Sequence, residues 1–169
     1  LIEIVDYDAR WPQLFSAEKQ HIERVISHWL CGTIEHVGST SIVGLAAKPV
    51  IDIMVGVKSL NHAQDAIQVL VDSGYCYYPY KPEVMHWFCK PSPEIRTHHL
   101  HLAPYQSPLW HERILFRDYL RAHQSVAIEY AKLKRQLAMQ YPKDRERYTQ
   151  SKWQFIEQVL RRAHLESKA

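Results

Sequence analysis

Cysteine is nearly absent: three of 169 residues, Cys31, Cys76 and Cys89, with no two in a C-x-x-C pair. That scarcity excludes a disulfide framework and a zinc knuckle, and predicts reduced thiols in a cytoplasmic protein. Long apolar runs are absent too; nothing approaches the roughly 18 residues a membrane helix needs. The opening stretch Leu1-Ile2-Glu3-Ile4-Val5-Asp6 has neither a basic segment nor a small-residue cleavage site, so export and membrane insertion are not expected. No internal repeat, low-complexity tract or long linker divides the chain, and 46% hydrophobic content is ample for one core. The expectation is one domain over residues 1–169.

Charge is unevenly shared. Residues 112–169 hold 13 Lys and Arg against 7 Asp and Glu, whereas residues 1–111 hold 8 against 11. A basic C-terminal third beside a mildly acidic remainder suits an anionic ligand such as a phosphate ester; solvated helix faces produce the same pattern.

Periodicity predicts an amphipathic helix from Trp11 to about Leu30, started by Pro12, and strands over Thr33–Val37 and Pro49–Val57. A further helix is expected between Asn61 and Asp72, with Asn61 as cap and Gly74 beyond its end. Residues 75–103 are rich in aromatics and interrupted by four prolines, which reads as two or three strands. In the last of them, Arg96 to Leu102, Leu100 and Leu102 share one face and His99 and His101 the other. From about Leu109 the pattern is helical in three pieces, with breaks near His123-Gln124-Ser125 and at Tyr141-Pro142-Lys143-Asp144.

Asp52 stands alone in a strand of aliphatics. A carboxylate there costs several kcal/mol unless it is paired with Arg or Lys, hydrogen-bonded, or bound to a cation. Just before it, Gly38-Ser39-Thr40-Ser41 joins a glycine that lets backbone approach a ligand to three hydroxyls that can donate to phosphate oxygens, or that merely cap a turn. It is not a P-loop, because Gly44-Leu45-Ala46 lacks the Gly-Lys-Ser/Thr ending. The G-x-S-x-G elbow of serine hydrolases is missing as well. His99 and His101, side by side on a strand, suit a metal, a phosphate or a neighbouring carboxylate. Lys48 and Arg96 are candidate counter-charges for phosphate.

A glycine-serine turn followed about a dozen residues later by a strand aspartate resembles the core of the polymerase-β type of nucleotidyltransferase. More closely, the chain resembles the GrpB family over nearly its full length, members of which are fused to dephospho-CoA kinase in some bacteria. The motifs are Asp6-Tyr7-Asp8-Ala9-Arg10-Trp11-Pro12, Ile34-Glu35-His36-Val37-Gly38-Ser39-Thr40-Ser41 and Gly44 to Ile53. His99-Leu100-His101-Leu102, Phe116 to Arg121, Tyr130 with Lys134, and Tyr148 with Lys152 complete them. Val43 departs from the pattern, where the family usually has proline.

The resemblance implies an α+β fold: a nucleotidyltransferase-like mixed sheet backed by helices over residues 1–107, with a helical part, 108–169, packed on it. It implies a site in which His36, Gly38, Ser39, Thr40, Ser41, Lys48 and Arg96 bind a nucleotide or phosphorylated small molecule, including a coenzyme-A-like metabolite. Asp52 would be catalytic and, with His99 and His101, would hold a divalent metal. Nucleotidyltransferases carry a second carboxylate two residues after the first, and Met54 occupies that place here. Mg²⁺ prefers oxygen donors, so two imidazoles and one carboxylate would shift preference to Mn²⁺ or Zn²⁺. Two functions follow as expectations: metal-dependent nucleotidyl transfer to a small molecule or nucleic acid, or an inactive module that binds such ligands. Direct nucleic-acid binding by the basic helices is the lesser option, since Tyr119, Tyr130 and Trp153 sit at helical core spacing.

Overall fold

A computed structural model describes residues 1–168. Helix α1 (Trp11–Ile26) carries Pro12 in its first turn and buries Trp11, Ile22 and Ile26. Strand β1 (Leu30–Val37) follows a short 3₁₀ turn, and a second such turn, Ser39–Ser41, leads through an extended loop to β2 (Ile51–Val57). Next come α2 (Ala66–Asp72), β3 (Cys76–Tyr78), β4 (His86–Pro91) and β5 (Arg96–Pro104). Three helices close the chain: α3 (Pro108–Ala122), α4 (Gln124–Gln140) and α5 (Arg145–Ser167).

The five strands form one mixed sheet in the order β1-β2-β5-β4-β3, with β2 and β5 parallel and every other pair antiparallel. Parallel pairing sets Asp52 opposite His99 and Met54 opposite His101. Because side chains alternate along a strand, these four residues share a face. The opposite face presents Ile51, Ile53, Val55, Leu100 and Leu102, packed with Phe88 against Trp11, Ile22 and Ile26 of α1 and Leu70 of α2. Each such aliphatic side chain contributes roughly 1.5–3 kcal/mol by leaving water.

The face bearing Asp52 is covered differently. Trp110 of α3 packs on Val37, Met54 and Ala103. Farther along, Ile42 and Leu45 from the loop after β1 insert among Tyr119, Leu120, Val126, Tyr130 and Val159 of the three C-terminal helices. The helical part is thus anchored to the loop that follows the Gly38 turn. Breaks in it fall where the polar and proline residues predict, at His123 and over 141–144. Ser107 and Asp144 start α3 and α5 by accepting the backbone N–H of Trp110 and Arg147.

Two elements are shorter than expected: α1 ends at Ile26, giving way to the 3₁₀ turn Ser27–Trp29 before Leu30 opens β1, and α2 starts only at Ala66. Over residues 60–65 the chain makes turns rather than helix, with Gln64 N–H bonded to Asn61 O and Ala66 N–H to Ala63 O. These are three-residue spacings, too tight for an α-helix, and Ser59 Oγ caps them at His62 N–H. No helix among the described residues is long and apolar enough to cross a membrane.

Candidate functional site

Asp52 lies at the start of β2, beside the turn after β1 and under the helical part. Its side chain keeps 27% exposure. Both histidines bond to the same oxygen: His99 Nδ1 lies 3.2 Å and His101 Nε2 3.5 Å from Asp52 Oδ1. Burial pushes the Asp52 carboxyl up, but the hydrogen bonds from His101 and His99 outweigh it and hold the group well below the usual carboxylate range. Burial lowers His101 to about 4, against the pull of Asp52. The pair at neutral pH is therefore a carboxylate and a neutral imidazole, whose Nδ1 faces Met85 Sδ at 3.4 Å.

Gly38 makes this arrangement possible. It adopts φ +72°, and a Cβ there would collide with Asp52 Oδ2. Only glycine allows the turn to lie flat against the carboxylate. Of the three hydroxyls that follow, two are already committed. Thr40 Oγ1 donates to Val50 O at 3.2 Å and bonds His36 Nε2 at 2.9 Å, while Ser41 Oγ donates to Gly38 O. Ser39, the third, lies against the Tyr130 phenol.

His36 lies on the other face of the sheet, opposite Ile53 and stacked on Phe15 with ring centroids 4.7 Å apart. Burial lowers it to about 4, so it is a neutral strut under the turn rather than a cation in the cleft. From above, Arg121 clamps the turn with Nε and Nη2 both donating to Ser41 O, at 3.1 and 2.9 Å.

The strongest electrostatic feature comes from residues for which composition gave no specific signal. Lys48 and Lys152 place their ammonium groups 5.0 and 4.7 Å from the centre of the Tyr148 ring, and Lys134 sits 4.7 Å from that of Tyr130. Burial, followed by repulsion from Lys48, brings Lys152 down to about 7. Burial, then Lys152 and Lys48, brings Lys134 down to about 6, although its Nζ donates to Ala46 O at 2.6 Å. Lys48 is lowered chiefly by burial, with Asp52 opposing. Arg113 of α3 adds a further positive charge that acts on Lys152, His101 and Tyr130. Several basic side chains therefore crowd around one carboxylate, and an anion beside them would favour their charged forms. The signals that could have found Lys134 and Lys152 were their pairing with Tyr130 and Tyr148 in the family motifs.

Arg96 is set at the cleft's outer edge. Its guanidinium lies 5.3 Å over the Trp87 ring and donates to Pro93 O, and burial with repulsion from Arg145 lowers its pKa. Among the described residues no group of three or more His, Cys, Asp and Glu is arranged to hold a metal ion. The two imidazoles converge on the carboxylate oxygen itself rather than joining it around a common point. The donors as placed form a hydrogen-bonded triad and do not fit a bound divalent ion.

A family model described as "GrpB protein" matches residues 1–162. The glutamate-rich protein GrpB of Alkalihalophilus pseudofirmus is 38% identical over 162 residues, spanning 93% of this chain and 92% of its own. The crystal structure of conserved protein GrpB from Enterococcus faecalis superposes with a TM-score of 0.88 at 28% identity, covering 99% of this chain and all of that one. The Cid1 poly(U) polymerase, with MgGTP bound, matches 80% of this chain and 44% of its own at a TM-score of 0.55 and 13% identity, which shows a shared nucleotidyltransferase fold.

Proposed function

The chain belongs to the GrpB family, and from that membership and the charge of its cleft we propose that it binds a nucleotide or other phosphorylated small molecule. The phosphates lie against Ser39, Lys48, Lys134, Lys152 and Arg113, with Asp52, His99 and His101 forming the floor. Gly38 brings the turn close, Thr40, Ser41 and His36 hold its shape, and Arg96 guards the outer edge. The observation that carries this reading is the crowding of Lys48, Lys134 and Lys152 at two tyrosine rings, each lowered below its ordinary pKa first by burial and then by repulsion from neighbouring cations. A phosphate supplies that charge and forms charge-assisted hydrogen bonds. The nucleotide in the Cid1 structure, on the same fold, is consistent with this ligand class.

Thermal unfolding with tripolyphosphate, ATP and coenzyme A is the direct test. At a hundredfold excess over Kd, a ligand stabilises the native state by about 2.7 kcal/mol, readily seen as a higher Tm. If none of the three raises the Tm, the reading is abandoned.

Nucleotidyl transfer is the second reading, and an ionised Asp52 against the Gly38 turn is the observation that favours it. It expects turnover of a nucleoside triphosphate with an acceptor hydroxyl, abolished in Asp52→Asn. Met54 in place of a second carboxylate favours the binding module, which expects stabilisation without product.

A further inference from the structure

Beyond the phosphate cleft, the same sheet face carries a cluster of aromatic rings at the edge of a small core formed by Met85, Trp87 and Cys89. Trp87 of β4 is paired in register with His101, one strand out from the Asp52 floor. Its ring lies 5.0 Å from that of His99, which is itself bonded to Asp52. Two tyrosines stand edge-on to it, Tyr78 at 6.2 Å and Tyr80 at 6.1 Å, and Arg96 covers it at 5.3 Å.

Exposure rises from the centre of the cluster to its rim. Trp87 is 8% exposed, but Tyr78 and Tyr80 keep 58% and 41%. Aromatic rings left this open forgo much of the free energy that burying them would give. Charged groups border it: Arg96 lies on the cluster, Lys81 sits 5.5 Å over Tyr80, and Arg145 and Glu94 are both near enough to act on Arg96. Exposed rings interleaved with cations suit a flat, electron-rich group carried by an anion. Strands lie about 4.8 Å apart and rise about 3.3 Å per residue, so Trp87, two strands across and two residues along from Asp52, is about 12 Å from it in the sheet. One bridging ligand can span that gap with a sugar.

We propose that Tyr78, Tyr80, Trp87 and Arg96 form a subsite for a nucleobase, so that the ligand of the cleft is a nucleotide rather than a sugar phosphate or a free polyphosphate. This rests on the phosphate reading above and deepens it. The base lies on the exposed tyrosines, with Arg96 at its edge, while the ribose crosses the His99 ring and the phosphates reach the lysines. Selectivity for a base-bearing ligand then resides in the β3–β4 side of the sheet, and affinity for charge resides in the helical part.

Isothermal titration of the full chain with inorganic tripolyphosphate, 5-phosphoribosyl pyrophosphate, ATP and UTP tests it, for wild type and for Tyr78→Ala/Tyr80→Ala. In wild type at least one of the two nucleotides should bind about tenfold or more tightly than the two base-free probes, the gain expected from stacking one base. The double variant should lose that advantage and keep its tripolyphosphate affinity, which also shows that it is folded. Equal binding of all four probes to wild type, or a nucleotide preference that survives in the variant, would overturn the subsite and leave the phosphate site standing. Failure of every probe to bind wild type would instead overturn the phosphate reading, and the subsite with it.

Discussion

Gly38 and Asp52 are matched by contact: the glycine's missing Cβ is the space the carboxylate occupies. Gly38→Ala should therefore destabilise the fold by about 1–3 kcal/mol, through the positive φ and the collision together. Gly44→Ala is the control, because Gly44 has φ +83° but open space around its would-be Cβ. It should cost only the backbone strain, about 1 kcal/mol. Urea unfolding of the two variants decides; equal losses would remove the collision from the account. This much of the site was legible in the sequence, since a glycine before three hydroxyls and a lone strand aspartate are local signals. That Thr40 and Ser41 spend their hydroxyls on backbone oxygens was not, because the acceptors depend on how the loop folds back.

The lysines make a pH prediction at the same scale. An unfolded lysine holds its proton up to about 10.4, whereas Lys134 and Lys152 in the fold release theirs at about 6 and about 7. Between those values and about 10 the unfolded chain binds more protons, so the stability of the ligand-free protein from these groups rises with pH. Affinity for tripolyphosphate should move the other way, falling from pH 6 to pH 9 as the ammonium groups discharge. Titrations and melts across that range check both signs; a flat affinity would mean that the lysines do not meet the anion.

At the level of elements, α3 and α5 each bring something to the sheet. Arg117 of α3 is 8% exposed and donates from Nη1 to Glu35 Oε2 at 3.0 Å and to His36 O at 3.2 Å. Its replacement by alanine leaves a half-buried carboxylate and a buried carbonyl without their partner. A loss of about 3 kcal/mol is expected, read by denaturant unfolding. Lys152→Met on α5 should behave in the opposite way. Removing a crowded buried ammonium should leave unliganded stability unchanged or raised by about 1 kcal/mol, while phosphate affinity drops about tenfold. Thermal melts with and without tripolyphosphate separate the two effects. Helix boundaries were readable from Pro12, the caps Ser107 and Asp144, and the breaks at 123 and 141–144. The roles of Lys134 and Lys152 were not readable from spacing, because at helical spacing a lysine facing a cleft looks the same as one facing water. Only the packing of α4 and α5 over the turn turns them inward.

Across the whole molecule, the charge asymmetry seen in the sequence becomes a division of labour. The acidic N-terminal two-thirds supplies the sheet, the aspartate and the turn, and the basic C-terminal third supplies the counter-charge around it. Affinity for phosphorylated ligands should accordingly fall several-fold between 50 and 300 mM NaCl, because the ligand competes with screening ions for a partly open cleft. Calorimetry at the two salt concentrations measures it, and salt-independent binding would point to contacts other than charge.

The turn at the proposed phosphate site is held from two directions, by His36 and Thr40 beneath it and by Arg121 above. A segment fastened in this way has little freedom left to lose when a ligand arrives, so association need not wait for a slow rearrangement. Ligands that differ in fit should then enter at similar rates and differ in how long they stay, and residence time is the quantity by which this cleft will discriminate among them.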